Sequence, residues 1–158
     1  MPALKLEDGS IIGESMNILR MLAQKHGFYP EDPLEAAQVD EYLDAFDGVI
    51  PKFAGPFFMP ENQRETGSAE LFSTIAPTFL KALDGAFSKG GFMVGDKLTA
   101  ADFVIGGLYT NYFNNQNVGY CKDKFEAVRD AHPNFKAYGD RFTAEMKSYL
   151  DSRPSCPI

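Results

Sequence analysis

Glu14-Ser15 stand where an amphipathic helical pattern begins, and they are the residues of this chain best placed for chemistry. A helix start presents backbone N–H groups without intrahelical partners at the positive end of the dipole. A serine hydroxyl beside them makes an anion site. The same hydroxyl could instead cap the helix by occupying those donors itself. The other reactive side chains point to structure. His26 and His132 share no ligand spacing with a cysteine or a pair of carboxylates, so no metal is expected. His26 reads as a last-turn residue favoured by the dipole, and His132, before Pro133, as a helix-entry turn. Cys121 and Cys156 fall in no ligand or redox motif, which suits a reducing compartment. Asp102, three residues after Thr99, reads as a capping carboxylate rather than a catalytic acid. Asp40, Asp44 and Asp47 recur at helical spacing and read as a solvated face. No glycine-rich phosphate loop, serine elbow or cysteine triad pattern is present.

The elements that must position Glu14 and Ser15 follow from periodicity. Ala3 to Glu7 alternates as a half-buried strand, Asp8-Gly9 signals a tight hairpin turn, and Ser10 to Ile12 returns. Met16, Leu19, Leu22 and Ala23 then form one helical stripe that ends at His26-Gly27. Phe28 to Leu34, with Pro30 and Pro33, is a stiff linker. Beyond it the pattern is helical or loop. One helix is expected from Glu35 to about Phe53, before Gly55-Pro56, and one from Ser68 to Ser88 with a kink at Pro77. A capping box at Thr99 and Asp102, flanked by Leu98 and Phe103, opens an apolar central helix. A final helix runs from about Asn134 to Leu150, followed by an irregular tail.

Composition excludes several function classes. The formal net charge of −7 repels phosphate backbones and anionic lipid, so neither nucleic acid nor a membrane surface is an expected partner. No stretch approaches the ~20 apolar residues of a membrane span, and a charged hairpin stands where a signal peptide would lie. Fourteen Phe and seven Tyr without Trp predict a phenylalanine-rich core that needs no staples. A soluble cytoplasmic protein is the expectation.

Two segments resemble the cytosolic glutathione transferases. Pro2-Ala3-Leu4, Glu7-Asp8-Gly9 and Glu14-Ser15-Met16-Asn17-Ile18-Leu19-Arg20-Met21-Leu22-Ala23 are similar to that family's glutathione-binding segment, and residues 91–103 to its helical-domain motif. Pro133-Asn134-Phe135 with Ala137-Tyr138 resembles a late helix start, and Arg153-Pro154 a common ending. The acidic helix after the linker is most similar to the sigma class. The resemblance implies an α+β, mostly helical fold. A partial thioredoxin-like unit of hairpin and helix would span 1–28, a linker 29–34, and an all-α C-terminal domain 35–158. It implies that glutathione is the co-substrate or ligand: Met1 and Pro2 meet its cysteinyl part, and Glu14 and Ser15 its γ-glutamyl end. Small electrophiles would meet an apolar wall that includes Phe53, Phe57 and Phe58, although these phenylalanines suit an ordinary core equally well.

The resemblance also carries departures. The sigma-type cross-subunit aspartate aligns with Gly48, with Asp47 beside it. The family places a strand–helix–strand unit of ~30 residues or more before Pro2, and that unit holds the Tyr or Ser that stabilises the glutathione thiolate. A free thiol has a pKa near ~8.5, so this donor makes it a nucleophile at neutral pH. None of the seven tyrosines maps onto that role. Two readings stand: a transferase whose sequence here begins late, conjugating glutathione to electrophiles in detoxification, or an inactive structural or binding subunit. Storage of an apolar ligand is a third. The open sheet edge requires cover, from a homodimer or another protein partner.

Overall fold

The computed structural model describes residues 2–154, so Met1, Cys156 and the end of the tail lie outside the described residues. Strands β1 (Ala3–Lys5) and β2 (Ile11–Gly13) pair antiparallel, Ala3 opposite Gly13, Leu4 opposite Ile12 and Lys5 opposite Ile11. β1 is shorter than its alternation predicts, and β2 has the expected three residues but lies one position later. The connection is a three-residue loop rather than a two-residue turn: Gly9 N–H donates to Leu6 O and Leu6 N–H to Ser10 O. Gly9 takes the positive φ this loop demands (87°), and Asp8 Oδ1 accepts from both the amide and the hydroxyl of Ser10.

Helix α1 (Ser15–His26) follows at once and ends on Gly27 in the left-handed conformation, with Phe28 N–H returning to Ala23 O. Helix α2 (Pro33–Ala54) begins earlier than the periodicity suggests. Asp32 Oδ1 accepts from the amides of Leu34 and Glu35, and Pro33 fits the first turn because its missing N–H would have no partner there.

Helices α3 (Glu61–Glu70) and α4 (Ala76–Phe87) are joined by a π-helical turn, Leu71–Ile75. Its widened ring, closed by Ala76 N–H to Leu71 O, sits immediately before Pro77, whose ring crowds the carbonyl four residues back. Helix α3 is polar almost throughout, which hid it from hydrophobic periodicity. Helix α5 (Ala100–Leu108) opens at the Thr99–Asp102 capping box and runs into a second π-helical turn, Tyr109–Phe113. Helix α6 (Lys122–Asp130) likewise lacks a broad apolar stripe, because Phe125 and Val128 are its only buried residues. The expected last helix is two, α7 (Pro133–Glu145) and α8 (Lys147–Ser152), broken at Met146.

The core is one cluster centred on α5, of whose nine residues all but Phe103 and Gly107 are buried. It is aromatic, as composition predicts. Phe53 stacks on Phe125 and meets Phe79, Tyr112 and Phe113 edge-on. Ala23 of α1 belongs to the same cluster. No helix of the described residues is long and apolar enough to cross a membrane.

Candidate functional site

The pairing of Ala3 with Gly13 brings the chain around Pro2 beside the start of α1. The Pro2 carbonyl lies 3.8 Å from where a Cβ on Gly13 would stand. Pro2, Glu14 and Ser15 are all exposed. Glu14 is the only non-glycine of the described residues with positive φ (67°, ψ 122°), a conformation that costs an L-residue roughly 1–3 kcal/mol and concentrates at ligand clamps. The neighbouring carbonyls are tied down. Glu14 O accepts from Ile18 N–H at 2.9 Å, and Gly13 O from Asn17 Nδ2 at 3.3 Å.

The kink delivers Ser15 as the first helical residue with no side chain capping the helix, and the first turn contains no acidic residue. The serine therefore does not act as the cap that its position allowed. Ser15 is exposed beside the first amides of α1, and a helix start with a hydroxyl next to it suits a carboxylate.

Helix α1 is held against α2 by a charged strut. Arg20 Nε donates to Asp40 Oδ1 at 2.6 Å and Arg20 Nη2 to Asp44 Oδ1 at 2.5 Å. The hydrogen bond that Arg20 donates to Asp40, then the one to Asp44 and the charge of both carboxylates, hold the guanidinium above its ordinary value against the effect of burial. This corrects the expectation of a merely solvated acidic face. The i, i+4 spacing of Asp40 and Asp44 was the available signal, but it does not reveal which cation they meet. Just past α1, the Tyr29 hydroxyl reaches Ala36 O near the start of α2. These contacts run antiparallel, so the Ser15 end of α1 points towards the later half of α2.

That half carries Asp47 and Phe53, and the 3-10 turn that follows it, Gly55–Phe58, carries Phe57 and Phe58. Asp47 is exposed. Phe53 is wholly buried in the core and offers nothing to a ligand. Phe57 is half-buried, its ring 6.0 Å from those of both Tyr112 and Tyr120, whereas Phe58 is 85% exposed. Burial pushes the Tyr120 hydroxyl up to about 12, so it stays protonated at neutral pH.

Thr99 and Asp102 are structural. Asp102 is fully buried, and its Oδ1 accepts from Met93 N–H at 2.8 Å and Tyr138 Oη at 3.0 Å. Its Oδ2 accepts from the Thr99 amide and hydroxyl. Burial raises the carboxyl despite these four donors. His26 ends α1, and His132 Nδ1 lies 2.7 Å from Val128 O at the entry to α7. Among the described residues no group of three His, Cys, Asp or Glu could hold a metal.

Residues 47–153 match the family described as "Glutathione S-transferase, C-terminal domain". Glutathione S-transferase 2 of Caenorhabditis elegans is 34% identical over 112 residues, which cover 66% of this chain and 59% of that relative. Hematopoietic prostaglandin D synthase of Gallus gallus is 28% identical along the whole chain, covering 75% of its own length. Among solved structures, the monomeric glutathione S-transferase Na-GST-3 of Necator americanus superimposes with a TM-score of 0.82 at 25% identity, over the whole chain and 76% of its own. The chain thus spans between about three-fifths and three-quarters of the length of these relatives.

Proposed function

Because the chain belongs to the glutathione S-transferase family, we propose that it binds glutathione at the start of α1. The γ-glutamyl carboxylate meets the Ser15 hydroxyl and the free amides behind it, Glu14 faces the γ-glutamyl end, and Met1 and Pro2 meet the cysteinyl part. The observation that carries this reading is the uncapped, exposed first turn of α1 behind the strained Glu14. Helices α3, α6 and α7 also start without a side-chain cap, so it is the positive φ of Glu14 that sets the start of α1 apart. The likeness to hematopoietic prostaglandin D synthase accords with the sigma-like character of the acidic α2.

The reaction proposed is conjugation of the glutathione thiolate to a small electrophile held by Phe57 and the exposed Phe58. Both lie towards the end of α2 to which Ser15 points. An inactive binding or structural subunit is the second reading. It is favoured by three tyrosines whose hydroxyls are already engaged: Tyr109 and Tyr138 are buried and donate to Asp140 and Asp102, and Tyr29 donates to Ala36 O. A cytoplasmic homodimer, with Asp47 near a second subunit's site, remains part of the proposal, although one relative is described as monomeric.

Isothermal titration with glutathione tests the site. Ser15→Ala is expected to weaken binding about tenfold, the loss of one charge-assisted hydrogen bond of roughly 1.5 kcal/mol. Unchanged binding in that variant would place the site elsewhere. Turnover of a generic aryl halide by the same protein then separates the transferase from the inactive subunit.

A further inference from the structure

Asn17 stands in the first turn of α1 and has no part in the core. It is exposed, and among the described residues its carboxamide makes one hydrogen bond, from Nδ2 to Gly13 O at 3.3 Å. An exposed asparagine is a poorer helix former than alanine, so neither packing nor propensity accounts for it. The position of its bond does. Donor and acceptor lie on opposite sides of Glu14, and the carboxamide bridges the bend at which β2 becomes α1.

Two arrangements compete for the amides behind that bend. In the one observed, Ile18 N–H donates to Glu14 O at 2.9 Å and Glu14 carries the positive φ of 67°. With Glu14 relaxed to negative φ, Ser15 would stand just outside the helix. Its hydroxyl would then cap the amide of Asn17 or Ile18, as serines before helices do. That arrangement uses up the hydroxyl and a donor that a bound carboxylate requires. The strain in Glu14 favours it, and the Ile18–Glu14 bond and the Asn17–Gly13 bridge oppose it. One hydrogen bond is of the same order as the strain of one such residue, so the bridge weighs in the balance.

We propose that Asn17 is a positioning residue for the glutathione site. By holding Gly13 O across the Glu14 bend, it keeps the Ser15 hydroxyl and the first amides of α1 free for the γ-glutamyl carboxylate. This rests on the reading of that turn as the glutathione site and adds to it a residue that touches no ligand. Asn17→Ala is expected to leave thermal unfolding unchanged or raise it slightly, because alanine is the better helix former. The same variant is expected to bind glutathione about fivefold more weakly in isothermal titration, the loss of one neutral hydrogen bond. Asn17→Ser, whose hydroxyl donates to the carbonyl four residues back, is expected to restore binding to within about twofold of the parent. In a Glu14→Gly background, Asn17→Ala should cost less than about twofold, because glycine takes positive φ freely. The conformation of Glu14 is read separately by NMR without glutathione. A strong nuclear Overhauser effect between Hα and HN of that residue marks positive φ; it should fade in Asn17→Ala and return in Asn17→Ser. An Asn17→Ala variant that keeps this signature overturns the role of Asn17 even if its affinity falls, since the fall would then come from direct contact with the ligand. Unchanged affinity in a variant whose signature fades overturns it too. A parent that binds no glutathione overturns the reading of the site itself, and the positioning role with it.

Discussion

Asp102 joins three separate segments through one carboxylate: the loop at Met93, the cap at Thr99 and helix α7 at Tyr138. An Asn in its place is nearly isosteric but must turn an NH2 towards donors that are already buried. We expect Asp102→Asn to lower unfolding stability by about 3 kcal/mol in urea titration, because it breaks a network rather than one bond. The pH dependence carries opposite signs at two aspartates. Burial sets the folded pKa of Asp102 above its unfolded value. Its contribution is therefore favourable below the ordinary carboxylate range and is lost as pH rises through the folded value. At Asp140 burial is outweighed by hydrogen bonds from Lys136 and Tyr109, and the carboxyl is held low. That contribution is present above the ordinary carboxylate range and lost as pH falls through the folded value. Tyr109→Phe should therefore cost about 1 kcal/mol at neutral pH. Paired denaturation curves should show the difference narrowing as acid titrates Asp140.

Among the elements, α5 and α7 approach closely enough that glycine is required on both. A Cβ on Gly106 would meet Phe142, and one on Gly139 would meet Tyr109. Alanine at either position should destabilise by about 1–3 kcal/mol through overpacking of a dense interface. The neighbouring Gly107 has free space around it. Gly107→Ala should stabilise by about 0.5–1 kcal/mol, the ordinary helix-propensity gain. Thermal unfolding of Gly106→Ala and Gly107→Ala, shifted in opposite directions, checks the assignment; a shift of the same sign in both would contradict it.

At the scale of the molecule, the hairpin and α1 dock on the helical body through the shared core at Ala23, the bond from Ala100 N–H to Phe28 O and the Arg20 strut. The strut is partly exposed, so its value is modest and sensitive to salt. Arg20→Ala is expected to cost about 1 kcal/mol and to act locally. Hydrogen exchange should quicken in α1 while α5 amides keep their protection. Equal acceleration in both helices would show that the two parts open as one.

Much of this molecule was legible from residue order. The Asp8-Gly9 hairpin, the stripe of α1, its stop at Gly27 and the Thr99–Asp102 box are local signals, set by turn chemistry, 3.6-residue periodicity and capping within a few positions. The polar α3 and the short α6 were not legible, because neither has the apolar stripe on which periodicity depends. For the candidate site, the sequence by itself placed a serine at a helix start and a family motif around it. Only the tertiary structure decided that Glu14 bends into positive φ, that Ser15 leaves the helix uncapped, that Arg20 claims Asp40 and Asp44, and that Phe53 is core while Phe58 is open. Those outcomes depend on how elements far apart in the chain pack, and no local pattern encodes which side chain a neighbouring helix will meet.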